Sequence, residues 1–266
     1  MILGGPLRRL AERLSRGVVL RRHLPSDFQR LPLYVTPEAG LRHWAGLSGV
    51  DRHLLRMVRE LVKPGAVVWD VGANVGLFAF SAAAITGPSG LVVAIEPDVW
   101  LAHLMDRSSR EISQKKLLAA PVRVLCASVS SELRVSELEI AERARASNHL
   151  AGISGSTQTG GYRHRQPTVS LALDCLVDFF PAPSVLKIDV ESHEIEVLRG
   201  AAQLLESARP VIWCEVDPQN AEAVSKLLHE KNYQLFGAAN DPHPVIQRAW
   251  WDTLAVPTER AAYNDS

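Results

Sequence analysis

Residues 67–76, Val-Val-Trp-Asp-Val-Gly-Ala-Asn-Val-Gly, constrain the fold of this chain more than any other stretch. The apolar run Val67, Val68, Trp69 ends at Asp70, two glycines and an asparagine follow, and residues 77–85 have helical character. That order predicts a buried strand, a tight turn and a helix N-terminus. Such a turn presents backbone N–H groups and the positive end of a helix dipole to a ligand. Gly72 and Gly76 let the backbone come close to a bound group, and Asn74 tolerates a positive φ. A glycine turn between strand and helix also arises for packing alone.

The next strand narrows the choice. Residues 91–95 are apolar, follow the turn Gly87-Pro88-Ser89-Gly90 and end at Glu96-Pro97. In a βαβ unit an acid at the end of the second strand binds ribose hydroxyls, and Glu96 has that position; the alternative is a solvated strand-end carboxylate. A dinucleotide site wants G-x-G-x-x-G, but Asn74 and Leu77 stand where its second and third glycines belong. The pattern D-x-G-x-N-x-G is instead similar to motif I of class I S-adenosylmethionine (SAM) methyltransferases. NAD(P) binding becomes the lesser reading.

Composition sets the outer bounds. With 266 residues, 47% of them hydrophobic, the chain can bury one sizeable core and a small appendage. Acids and bases balance at 29 each, which argues against a nucleic-acid partner. Cys126, Cys175 and Cys214 lie far apart, in or beside apolar runs, so they read as buried thiols of a cytoplasmic protein. No apolar run approaches the roughly 20 residues that span a bilayer, and no signal-peptide core is evident at the N-terminus.

The organisation expected is a leader (1–49), one α/β domain (50–258) and a polar tail (259–266). Residues 7–20 carry Leu7, Leu10, Ala11, Leu14 and Val18 at helical spacing, interleaved with Arg8, Arg9, Arg13 and Arg16. A basic helix of this kind either touches an anionic membrane surface weakly or caps the domain in solvent. A short strand is expected at 33–35 and a helix at 50–62. Strands at 66–70, 91–96, 122–126, 184–189 and 210–216 alternate with helices at 77–86, 99–118, 173–180, 194–206 and 219–230. That alternation predicts a doubly wound, mostly parallel, Rossmann-like sheet, with strands 233–237 and 253–256 as an antiparallel edge pair that brings the total to seven. The rhythm breaks between 128 and 171, where short strands at 134–140 and 168–171 bracket a polar segment, 141–167. An insertion there can cover the carboxyl edge of the sheet and help form an acceptor pocket.

Further blocks make the resemblance specific. Thr168-Val169-Ser170-Leu171 leads to Leu173-Asp174-Cys175-Leu176, then Val185-Leu186-Lys187-Ile188-Asp189-Val190-Glu191, then Glu194-Ile195-Glu196-Val197-Leu198-Arg199-Gly200-Ala201, and finally Pro210-Val211-Ile212-Trp213-Cys214-Glu215. Together with Asp70–Gly76 and Glu96-Pro97, these resemble the FkbM family of SAM-dependent methyltransferases over roughly residues 60–257. The family usually has glycine after K-I-D-V-E, where this chain has Ser192, a change that can tighten the turn, alter the acceptor site or be harmless. The resemblance implies a sugar, glycan or secondary-metabolite hydroxyl as acceptor. It also implies SAM contacts from Asp70, Gly72, Asn74, Gly76 and Glu96, and from Cys126 and Ala127 near the adenine.

Methyl transfer to oxygen is an in-line displacement that rewards positioning and, for a sugar hydroxyl, a proton acceptor. Lys187, Asp189 and Glu191 alternate along one strand end and share a face, with His193 just beyond. Asp189 is the first candidate for the base, Glu191 the second and His193 the third. The competing structural roles are a Lys187–Asp189 ion pair, a Glu191 helix cap and a solvated His193. Glu215 either faces the acceptor or merely ends its strand. No metal-ligand spacing is strong enough to assign a metal. A catalytically silent SAM-binding module is the rival class of function.

Overall fold

The computed structural model describes residues 12–45, 47, 51–152 and 161–261. The start of the expected N-terminal helix, residues 7–11, lies outside them. Residues 12–14 are helical, Gly17 turns the chain at a φ of 72°, and Leu20 is extended rather than helical. The reason is pairing: β1 (Leu20–His23) runs antiparallel to β2 (Pro32–Val35), with Leu20 opposite Val35. Leu24, Phe28, Leu31, Leu33 and Val35 are buried in the same core as the helices that follow.

Asp51 caps α1 (Arg52–Leu61) by accepting the Leu54 N–H at 2.9 Å, and the chain then enters β3 (Val67–Val71). Next come α2 (Leu77–Thr86), β4 (Leu91–Ile95), α3 (Val99–Gln114) and β5 (Val122–Leu125). α3 stops short of the expected residue 118 because Lys116 turns left-handed at a φ of 52°. The insertion holds β6 (Ser128–Val129), β7 (Arg134–Ala141), β8 (His149–Leu150) and β9 (Tyr162–Leu171), a separate sheet in the order β6-β9-β7-β8. β9 starts well before the expected residue 168, because eight β7 residues pair with it in antiparallel register. Residues 153–160 of the polar segment lie outside the described residues.

A 3-10 helix at Leu173–Asp178 replaces the expected helix 173–180 and leads to β10 (Val185–Ile188). The helix expected over 194–206 is two, α4 (Glu194–Arg199) and α5 (Ala202–Ser207). The break falls at Gly200, where a Cβ would lie 2.1 Å from the Ser130 carbonyl oxygen. Asp174 secures α5 by accepting the Gln203 and Leu204 N–H groups, both at 2.9 Å. β11 (Val211–Cys214), α6 (Ala221–Glu230), β12 (Tyr233–Gly237), β13 (Val245–Ile246) and β14 (Thr253–Pro257) complete the main sheet.

That sheet has the order β13-β12-β14-β11-β10-β3-β4-β5. Pairing from β5 through β11 is parallel, and β14 inserts antiparallel between β11 and β12. The two-residue β13 adds an eighth strand to the seven expected. Apolar cores cover both faces, one around α1–α3 and the leader, the other around α4–α6, which is why the parallel strands are apolar almost throughout. The thiols depart from expectation, since Cys126 and Cys175 are exposed and Cys214 is buried. Cys126 follows the last residue of β5, and Cys175 sits between the two buried leucines of the 3-10 helix, Leu173 and Leu176, on its outer side.

Strand order reverses between β3, which is followed by β4 on one side, and β10, which is followed by β11 on the other. Their carboxyl ends therefore splay into a crevice, the general ligand site of open α/β sheets.

Candidate active site

The crevice is a cavity of ≈ 420 Å³, inside the usual range of about 300–1,000 Å³ for ligand pockets. Gly72, Asn74, Glu96, Ala127, Asp189, Glu191, His193 and Glu215 line it. Asp70, Gly76, Cys126 and Lys187 do not, although each adjoins the elements that do.

The turn after β3 is shaped by the neighbouring strand. Gly72 has a φ of +80°, and a Cβ there would lie 1.9 Å from the Asp189 carbonyl oxygen. Its glycine is thus demanded by the close passage of the β3 and β10 turns. Gly76, with a φ of +83°, caps α2, and a Cβ would meet Phe80 at 2.7 Å. Asn74 takes a φ of 54°, as expected for an asparagine in such a turn. Its side-chain Oδ1 is buried and has no hydrogen-bond partner among the described residues.

Glu96 organises the same end. Its Oε2 accepts the Asn74 N–H at 2.8 Å and its Oε1 accepts the Asp98 N–H at 2.9 Å. Burial pushes its carboxyl up to about 8, with Asp98 adding to the shift and the two N–H bonds opposing it. Each oxygen retains a lone pair for a ribose hydroxyl. Ala127 lines the far wall, while the Cys126 Sγ faces the Pro97 carbonyl at 3.9 Å.

The other end is a row of carboxylates around one buried cation. Lys187 pairs in register with Asp70 on β3 and with Trp213 on β11. Its Nζ is 2.8 Å from Asp189 and 3.7 Å from Asp70, over the rings of Phe78 and Trp213. Burial works against the ammonium, but Asp189, Asp70 and Glu215 outweigh it and raise the lysine above its ordinary value. The Lys187–Asp189 ion pair is therefore real, and Lys187 neutralises a cluster of acids. Asp70 is fully buried, and its carboxylate has no well-aligned hydrogen bond among the described residues. Burial raises it to about 6 against the pull of Lys187.

Glu191 is different. Burial, then Asp189, Glu194 and Asp217, push it up to about 7, and no hydrogen bond holds its carboxyl among the described residues. It caps no helix. His193 is buried, 3.4 Å from the Ser130 hydroxyl, and burial lowers it, so the ring is neutral at pH 7. Glu215 opens into the cleft, and burial together with Asp189 raises it above the usual carboxylate range. Ser192 occupies the left-handed region at a φ of 59°, and its hydroxyl donates to Asp217 at 2.7 Å. The serine thus ties down the turn and stays out of the cavity lining.

Several contributors carried no signal in the sequence. Arg145 of the insertion reaches Asp98 at 2.5 Å and Glu38 of the leader at 3.4 Å, and Asn148 donates to Asp98 at 2.8 Å. These pairs hold the insertion over the cavity, where Arg145, Asn148, His149 and Leu150 form part of the wall. Asp98 also caps α3 by accepting the Trp100 N–H. Partners so distant in sequence leave no local pattern to find.

A switch-point crevice with this turn, this strand-end acid and a mostly parallel sheet with a reversed strand, β14, beside β11 is that of a class I SAM-dependent methyltransferase. The family model described as Methyltransferase FkbM domain matches residues 70–235, and the chain belongs to that family. The hexuronic acid methyltransferase AglP of Haloferax volcanii is 29% identical over 185 residues, 68% of each chain. Among solved structures, a methyltransferase FkbM from Methylobacillus flagellatus KT is similar with a TM-score of 0.48 at 13% identity, over 76% of this chain and 50% of that one. The chain thus spans half the length of that protein. A precorrin-6y C5,15-methyltransferase from Geobacter metallireducens GS-15 has a TM-score of 0.44 at 12% identity, over 79% of this chain and 88% of that one. Among the described residues no helix is long and apolar enough to cross a membrane.

Proposed function

We propose that this methyltransferase acts on oxygen, methylating a hydroxyl of a sugar, a glycan or a secondary metabolite. One observation carries the reading: a single cavity is shared by the turn residues Gly72 and Asn74 with Glu96 and by the carboxylates Asp189, Glu191 and Glu215. The similarity to a hexuronic acid methyltransferase supports a sugar-type acceptor.

In this reading Glu96 receives the ribose hydroxyls, Gly72 and Asn74 hold the methionine end, Ala127 borders the adenine, and Asp70 and Gly76 shape the turn from behind. When bound, SAM supplies an electrophilic methyl group and leaves as S-adenosylhomocysteine. Glu191 would take the proton of the acceptor hydroxyl. An acceptor group that titrates near the working pH combines availability with driving force, and Glu191 at about 7 has that property. Asp189, first on sequence grounds, has its charge engaged by Lys187 and serves as the fixed partner that keeps the strand end in place. His193 forms a neutral polar wall, and the insertion excludes water from the acceptor oxygen.

Calorimetry with SAM and S-adenosylhomocysteine, followed by methyl transfer to a panel of glycans and polyketides, tests the reading. Glu191→Gln should bind both nucleosides as the wild type does and lose turnover by about 10²–10⁴-fold. No cofactor binding by the wild type, or full turnover by the variant, would refute the respective assignment. Binding without transfer to any acceptor would favour a silent module.

A further inference from the structure

Beside the main cavity lies a second lobe of ≈ 430 Å³ between the start of α1 and strands β11 and β14. Asp51, Leu54, Glu215 and Trp251 border both spaces, so the two adjoin at the carboxylate end and not at the Glu96 end. Beyond them the lobe is walled by His53, Trp213 and Asp252.

The chemistry of these walls is specific. Trp251 is 53% exposed, and its ring lies 5.8 Å from that of Trp250, which is 39% exposed. An indole left open at the mouth of a polar cleft offers a flat apolar face to a partner that carries both C–H and O–H groups. Asp252 is only 1% exposed, and its Oδ1 accepts the Trp213 Nε1–H at 2.8 Å. Its Oδ2 faces the His53 Nε2 at 2.9 Å, yet neither atom makes an aligned hydrogen bond among the described residues. Close in distance but not aligned, the two groups keep hydrogen-bonding capacity beyond their mutual contact. A hydroxyl donates and accepts at once and can serve a carboxylate and an imidazole together, whereas a carboxylate ligand can only accept.

Charge points the same way. Asp51, Glu215 and Asp252 line the lobe, and Arg42, which lines the main cavity, pairs with Asp51 at 3.3 Å. Among the described residues no lysine or arginine lines the lobe, so an anionic ring substituent would find no cation there to pair with. We infer that this lobe is the acceptor subsite, and that it takes an uncharged, hydroxyl-rich sugar ring stacked on Trp251 with hydroxyls directed to Asp252, His53 and Glu215. The inference rests on the proposed O-methyl transfer and narrows its acceptor to neutral sugars, in contrast to the hexuronic acid of the relative's name.

Saturation-transfer NMR on the protein loaded with S-adenosylhomocysteine tests it, with the methyl pyranosides of glucose, galactose and mannose and methyl glucuronopyranoside as probes. At least one neutral hexoside should receive saturation at its ring C–H protons. Its affinity should fall about tenfold, or about 1.4 kcal/mol, in Trp251→Ala and recover in Trp251→Phe. The glucuronoside should bind at least about tenfold more weakly. Silence from all three hexosides, wild-type affinity in Trp251→Ala, or preference for the glucuronoside would overturn the assignment. S-adenosylhomocysteine binding, measured first by calorimetry, separates the outcomes. Its absence defeats the methyltransferase reading itself, while its presence with a negative sugar result defeats the subsite alone.

Discussion

Replacing Lys187 by Met keeps the length of the side chain and removes the cation that faces Asp70 at 3.7 Å. At an effective dielectric of about 20, two unit charges at that separation attract by about 4.5 kcal/mol, and the burial cost of the ammonium offsets part of it. Removing one partner of a buried pair accordingly costs about 3–5 kcal/mol. Protonation limits the loss. Asp70 titrates at about 6 with Lys187 present, and without that cation it must titrate higher. A carboxyl whose folded value exceeds its unfolded one binds protons more tightly when folded, so stability falls as pH rises between the two values. In the wild type that window ends near pH 6. In Lys187→Met it extends upward, and each added pH unit removes about 1.4 kcal/mol. The deficit should thus approach about 3 kcal/mol at pH 8, equivalent to about two added units. At pH 5, where Asp70 is mostly protonated in both proteins, it should shrink to the packing change and the loss of the half-exposed Lys187–Asp189 pair, together about 2 kcal/mol or less. Urea unfolding at the two pH values measures both quantities. An equal deficit at pH 5 and pH 8 would refute the argument that Lys187 stabilises the fold through the buried Asp70 charge.

Three further outcomes are expected. Gly72→Ala forces a Cβ towards the Asp189 carbonyl at a φ of +80°, which should cost about 2–4 kcal/mol in urea unfolding and weaken SAM binding in calorimetry. An unchanged variant would mean that the two turns do not pass as closely as described. Ser192→Gly loses the hydroxyl bond to Asp217, worth about 1.5–3 kcal/mol, and relieves a left-handed serine, worth about 1–2 kcal/mol. Its stability should change by about 1 kcal/mol or less, and a loss above about 3 kcal/mol would contradict that balance. Turnover of the wild type should rise with pH through about 7 as Glu191 ionises, then level off, while Glu191→Gln should show no such limb in its residual activity.

The sequence by itself determined the parallel sheet, because strands buried on both faces must be apolar and are set apart by helical periods. It determined the turn as well, because a strand, turn and helix within one short segment fix where Gly72 and Asn74 fall, and the end of the next strand fixes Glu96. The same locality made the left-handed Asn74 legible from residue type alone. Where the partner was remote, local pattern failed. The N-terminal helix gives way to β1 because β2 claims Leu20, and the long helix expected from 194 breaks at Gly200 because Ser130 lies against it. The buried or exposed state of Cys126 and Cys175 followed where each strand or turn ends and not the apolar runs beside them. Only the tertiary structure joined Arg145 to Asp98 and Glu38, set Lys187 among three acids, and brought Trp251 and Asp252 beside Glu215 and His53. Those groupings arise from strand order, in which β10 docks beside β3 and the reversed β14 slots next to β11, and strand order is settled by which apolar faces bury each other across the whole chain.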